Sequence, residues 1–203
     1  MKVTFLGALI IPLFLVLFAN FVAAQEKTSL TNTALLLIDI QNFYFSGGKS
    51  ELVEPDSASQ NAGKLIAAFR DARALIVHVR HNSEPGGEIR EEVRPIKGEK
   101  VISKDEVNAF KNTELLDYLK EKGIEKIVVA GMMTHMCVEA ATRAAHDFDF
   151  DVTVIHDACA TRALKFGSVE ISAKDVHYGT LATLSKYYAE VIDTETFLKS
   201  GGQ

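Results

Sequence analysis

The sequence predicts an α/β domain of three layers, α/β/α, built on a mainly parallel six-stranded sheet. Short, continuous apolar runs of strand length recur along the chain, the pattern of strands buried on both faces. Stretches with apolar residues at helical spacing lie between them. The two alternate from one end to the other, which requires right-handed crossovers and a sheet covered on both sides.

The first strand is expected over 34–38 (Ala-Leu-Leu-Leu-Ile), followed by a polar, Gly-containing stretch over 41–59. A helix over 61–72 places Leu65, Ile66, Phe69 and Ala72 on one face. The second strand covers 74–79, and 81–98, with two prolines and many charges, reads as a surface excursion. A short third strand at 100–102 precedes a helix over 113–122, opened by Thr113 as cap and stopped by Gly123. The fourth strand, 124–130, runs straight into Gly131 and a helix over 136–147. A fifth strand at 152–155, a long helix over 174–188 and a sixth strand at 189–192 complete the pattern. Ligands of such sheets bind beyond the carboxyl ends of the strands. That rule selects Asp39, Arg80-His81, Ser103-Lys104, residues 131–137 and His156-Asp157.

The 203 residues are 47% hydrophobic and 24% charged, enough for one substantial core. A net charge of −5 argues against general affinity for nucleic acid or anionic lipid, both of which need basic surface. Residues 1–24 stand apart: Met1-Lys2, an apolar run from Val3 to Val22, and a small-residue Val22-Ala23-Ala24 form a signal-peptide pattern. Cleavage near Ala24 leaves 25–203 as the mature domain, periplasmic or secreted, touching membrane only during export; an uncleaved N-terminal anchor is the alternative.

Three strand ends supply an acid, an amine and a thiol. Asp39 follows strand one, Lys104 follows strand three, and Cys137 lies six residues past Gly131 where strand four gives way to a helix. A helix start and a lysine ammonium both favour thiolate. A carboxylate beside the thiol can take its proton and pass it to a leaving amine. Singly, each has a plainer reading: a loop aspartate, a solvated lysine, a buried inert thiol. Cys159, among small residues, reads as a structural thiol, with a Cys137–Cys159 disulfide as the alternative in an oxidising compartment.

The segments Leu36-Leu37-Ile38-Asp39-Ile40-Gln41-Asn42, Val101-Ile102-Ser103-Lys104 and Val129-Ala130-Gly131-Met132-Met133-Thr134-His135-Met136-Cys137-Val138 resemble the isochorismatase-like cysteine hydrolases, as does His156-Asp157-Ala158-Cys159-Ala160. The resemblance runs from about Thr33 to Thr196. It implies a catalytic triad of Asp39, Lys104 and Cys137, an oxyanion hole from the Met133 and Cys137 amides, and a cis Met132–Met133 peptide. It also implies a dimer or tetramer. Nicotinamidase-like members carry metal-binding histidines between the first two strands, whereas this chain has no histidine between Asp39 and Ala74, so no metal and no other cofactor is expected. Members that cleave the vinyl ether of isochorismate can dispense with the thiol. Cys137 therefore points to acyl transfer on a small amide, carbamoyl or ureido compound. Gln41, Phe43, Phe45, His81 and Thr134 are candidates for the substrate pocket, while His78 reads as a satisfied core residue. Vinyl-ether hydrolysis centred on Asp39 and a non-hydrolytic thiol redox or binding role are the alternatives.

Overall fold

Alternation along β1 (Thr33–Ile38) divides the interior in two. Ala34, Leu36 and Ile38 enter one apolar cluster, and Leu35 and Leu37 enter the other. The computed structural model describes residues 30–201, so the expected leader at 1–24 lies outside the described residues. β1 is flanked by β2 (Leu75–His81) and β4 (Lys126–Met132), and the sheet order is β3-β2-β1-β4-β5-β8 with every pairing parallel. β3 is Lys100–Lys104, β5 Asp151–Ala160 and β8 Glu190–Ile192. The expected six-stranded sheet is thus present, and helices cover both faces.

On one face α1 (Pro55–Ala72) and α5 (Thr194–Lys199) pack through Leu65, Ile66, Phe69 and Phe197. On the other, α2 (Leu115–Glu121), α3 (Glu139–Asp147) and α4 (Ala173–Tyr187) supply Leu115, Leu119, Ala141, Ala145, Leu181 and Leu184. Each fully buried aliphatic side chain contributes about 1.5–3 kcal/mol from the area it removes from water.

The differences from expectation sit at element ends. α1 starts at Pro55, within the stretch read as loop, because proline suits a first helical turn that needs no N–H. β2, β3 and β4 run on to His81, Lys104 and Met132: polar side chains end the apolar run in β2 and β3 and Gly131 interrupts it in β4, but the backbone ladder continues, and His81 pairs with Lys104. β5 extends to Ala160, with a bulge where Val129↔Val154 gives way to Gly131↔Cys159. α2 begins at Leu115 rather than Thr113, whose hydroxyl accepts the Leu115 amide at 3.3 Å. Cys137 lies in a π-turn, Thr134–Val138, that precedes α3. An antiparallel hairpin, β6 (Leu164–Phe166) with β7 (Val169–Ile171), was not expected, its three-residue strands being too short to show a pattern.

Candidate active site

Asp39 leaves β1 with φ 49°, in the left-handed region, while its amide still donates to Val79 O at 2.9 Å. The chain therefore turns at Asp39 without losing its hold on β2. Lys104, the last residue of β3, reaches across β2 towards β1. Its Nζ lies 2.7 Å from Asp39 Oδ2, 3.0 Å from Glu106 O, 3.4 Å from Cys137 Sγ and 3.4 Å from His81 Nδ1. Three ammonium hydrogens thus serve the carboxylate, a carbonyl and the thiol–imidazole side. The Asp39 and Lys104 side chains are fully buried and Cys137 is 5% exposed. Asp39 and Cys137 also act on each other's ionisation within the cluster. The sheet thus brings the predicted acid, amine and thiol into one buried cluster.

The electrostatics differ from expectation. Burial, and then the Asp39 charge, push the Cys137 thiol up to about 12, against the opposing pull of Lys104. A resting thiolate does not fit this site; the thiol keeps its proton. Burial also raises the Asp39 carboxyl, although Lys104 opposes it. A raised carboxyl is a stronger base, so transfer from thiol to Asp39 is better matched than it would be in water.

The turn carrying Cys137 depends on Gly131, at φ 138° and paired with Ile38. A Cβ there would fall inside the Ile38 carbonyl. The Met132–Met133 peptide is cis. Met133 O then accepts the amides of Met136 at 3.0 Å and Val138 at 3.3 Å, which flank the Cys137 amide.

The five candidate pocket residues separate. Gln41 is fully buried; its Nε2 donates to His81 O at 2.9 Å and Gly87 O at 2.7 Å, and its Oε1 accepts from His81 N at 2.8 Å. It clamps β2 to the following loop, which uses up its amide. Phe43 and Phe45 are buried in the α1-side core, with Arg90 over the Phe45 ring at 4.3 Å. Thr134 is buried and bonded to Ala160 O and His177 Nδ1. His81 is half-buried, with its Nδ1 3.4 Å from Lys104 Nζ.

Sequence reasoning missed Arg162 and His177. Arg162 is exposed and follows Thr161, which bonds His135; its charge acts on both Tyr44 and His135. Buried Tyr44 is raised by burial first and then by Cys137 and Asp39, which places it beside the cluster. With β5 drawn to its true end at Ala160, the strand-end rule would have selected Arg162. Cys137 and Cys159 are both free and buried, rather than bridged. His78 Nε2 pairs with Glu99 at 2.9 Å in the core, as expected. Among the described residues, no group of three or more His, Cys, Asp or Glu is disposed to hold a metal ion. A cavity of about 830 Å³, lined by Asn32, Arg73, Ile76 and Glu99, opens at the amino ends of the strands, at the far end from Cys137.

A doubly wound parallel sheet with a buried thiol, amine and carboxylate beyond its central strands has the architecture of the α/β cysteine hydrolases. Residues 33–196 match the Isochorismatase domain, and the chain belongs to the isochorismatase family of hydrolases. It is 44% identical over 178 residues to the uncharacterized isochorismatase family protein YddQ of Bacillus subtilis, covering 82% of this chain and 99% of that protein. The crystal structure of a putative isochorismatase hydrolase from Oleispira antarctica shares 40% identity at a TM-score of 0.79, covering 86% of this chain and 97% of the other. The maleamate amidohydrolase of Pseudomonas putida is 28% identical over 176 residues, covering 74% of this chain and 82% of that enzyme.

Proposed function

We propose that the protein hydrolyses a small amide, carbamoyl or ureido compound through a covalent acyl-enzyme on Cys137. The observation that carries this reading is the Lys104 ammonium, 2.7 Å from Asp39 and 3.4 Å from the Cys137 sulfur in a buried cluster. Asp39 takes the thiol proton as sulfur attacks the carbonyl carbon, and Lys104 steadies the negative charge as it moves. The Met133 and Cys137 amides hold the oxyanion, a task suited to donors fixed before charge develops. Asp39 returns its proton to the leaving nitrogen as the C–N bond breaks. Water, deprotonated by Asp39, then cleaves the thioester, releasing the acid and restoring the thiol. The kinship with a maleamate amidohydrolase supports C–N cleavage. The exposed Arg162 would meet the carboxylate of a carbamoyl-amino or ureido acid.

A panel of small amides, carbamoyl-amino acids and ureido acids tests the reading. Cys137→Ala is expected to abolish turnover of the responsive compound, and one iodoacetamide per chain, on Cys137, to do the same. Full activity of Cys137→Ala on that compound would overturn it. Arg162→Ala is expected to raise KM for the acids about tenfold, a charge-assisted contact, while sparing neutral amides.

The raised Asp39 carboxyl favours one second reading, acid-catalysed vinyl-ether hydrolysis. There Cys137→Ala would keep turnover and Asp39→Asn would lose it. We further propose export directed by residues 1–24, tested by whether the mature chain starts after Ala24.

A further inference from the structure

We propose that His177 is a positioning residue of the acyl-transfer site: its Nδ1–H holds the Thr134 hydroxyl, and Thr134 fixes the turn whose Met133 and Cys137 amides meet the oxyanion. The inference rests on the acyl-enzyme reading above.

Thr134 directly follows the cis Met132–Met133 peptide, opens the π-turn that ends at Val138, and is fully buried. Its hydroxyl has two partners, Ala160 O at 3.2 Å on the last residue of β5 and His177 Nδ1 at 2.9 Å on α4. A carbonyl only accepts, so the single hydroxyl proton goes to Ala160 and the hydroxyl accepts from His177. His177 must therefore carry its proton on Nδ1. Burial, and then the nearby His156, lower its pKa, so the ring is neutral near pH 7 with its lone pair on Nε2.

This arrangement ties the turn to two elements at once. Ala160 belongs to the sheet and His177 to the helical layer, and α4 packs against the turn. A buried hydroxyl bonded on one side retains rotational choice; bonded on both sides it has one orientation. The His177 ring also lines a cavity of about 450 Å³ shared with Glu54, Ser57, His156, Cys159 and Lys174. Its polar contact with Thr134 is thus made from α4, whereas Lys104 ends β3 and Asp39 follows β1. Loss of His177 should loosen the oxyanion donors without changing how the thiol is deprotonated. Removing an oxyanion donor outright costs about 10²–10³ in rate, so a residue acting through one should cost about tenfold.

Acylation of the full chain by p-nitrophenyl acetate, followed by nitrophenolate release, tests this. His177→Ala should slow acylation about tenfold in kcat while KM stays within about twofold, the signature of an interaction made in the transition state. His177→Asn, whose amide can donate from the place of Nδ1, should recover most of the rate. Thr134→Val combined with His177→Ala should be no slower than Thr134→Val alone, because the two act in series. Alkylation of Cys137 by iodoacetamide, which forms no oxyanion, should keep its rate in every variant. Nitrogen NMR should find the neutral His177 ring protonated on Nδ1. Wild-type acylation in His177→Ala, losses that multiply in the double variant, alkylation that falls in parallel, or a proton on Nε2 would each overturn the proposal. Equal release by wild type and Cys137→Ala would instead contradict the acyl-enzyme reading, and the inference would fall with it.

Discussion

Cys137 and Asp39 lie in a buried site that solvates neither charge well. Burial raises both groups, and the Asp39 charge raises Cys137 further, while Lys104 offsets part of that cost from 2.7 Å and 3.4 Å. The thiol, at about 12, lies well above the value of about 8.5 for a free cysteine. Its alkylation by iodoacetamide should therefore be slow at pH 7 and still climb above pH 9. Asp39→Asn removes the neighbouring negative charge, so the midpoint of that profile should move down even as hydrolysis is lost. A midpoint below 8 in the wild type would contradict this account of the thiol. Lys104→Met would leave the Asp39 carboxyl without its ion-pair partner, and breaking a buried pair from one side costs about 3–5 kcal/mol.

At the scale of elements, the sequence made the strands legible and hid their ends. Runs such as Ala34 to Ile38 announced buried strands because every side chain there is apolar. The same test stopped β2 and β5 short, since His81 and His156-Asp157 are polar while their backbones still pair or extend. The acid, amine and thiol were legible because parallel strands deliver their last residues to one edge. Arg162 and His177 were not: one follows a strand whose length was misread, and the other meets Thr134 across 43 residues of chain. Gly131 shows how local sequence and site coincide. It sits where β4 presses on the Ile38 carbonyl, immediately before the turn bearing Cys137. Gly131→Ala adds a backbone clash to a φ of 138° that L-residues avoid, so destabilisation of more than about 4 kcal/mol, or no folding, is expected in chemical denaturation.

Across the whole molecule, the edge of the sheet distant from the thiol carries a pH liability of its own. Burial pushes the Glu99 carboxyl up, but Arg70, the Ile96 amide and His78 together hold it at about 2. A carboxyl depressed from its usual 4.5 stabilises the fold above that value and loses the contribution as pH falls towards 2. Burial lowers His78, despite Glu99, so its contribution is present above about 6.5 and declines as pH falls below it. Asp39, raised by burial, works in the opposite sense and does not produce acid loss. Tm should therefore begin to fall below pH 6.5 and drop further between about 4.5 and 2, the second fall being absent in Glu99→Gln. The central claim remains the covalent role of Cys137. Acid-quenched intact mass during turnover of p-nitrophenyl acetate tests it most directly. The account predicts one acetyl group per chain on Cys137, absent in Cys137→Ala; turnover with no adduct, and at the same rate in Cys137→Ala, would contradict it.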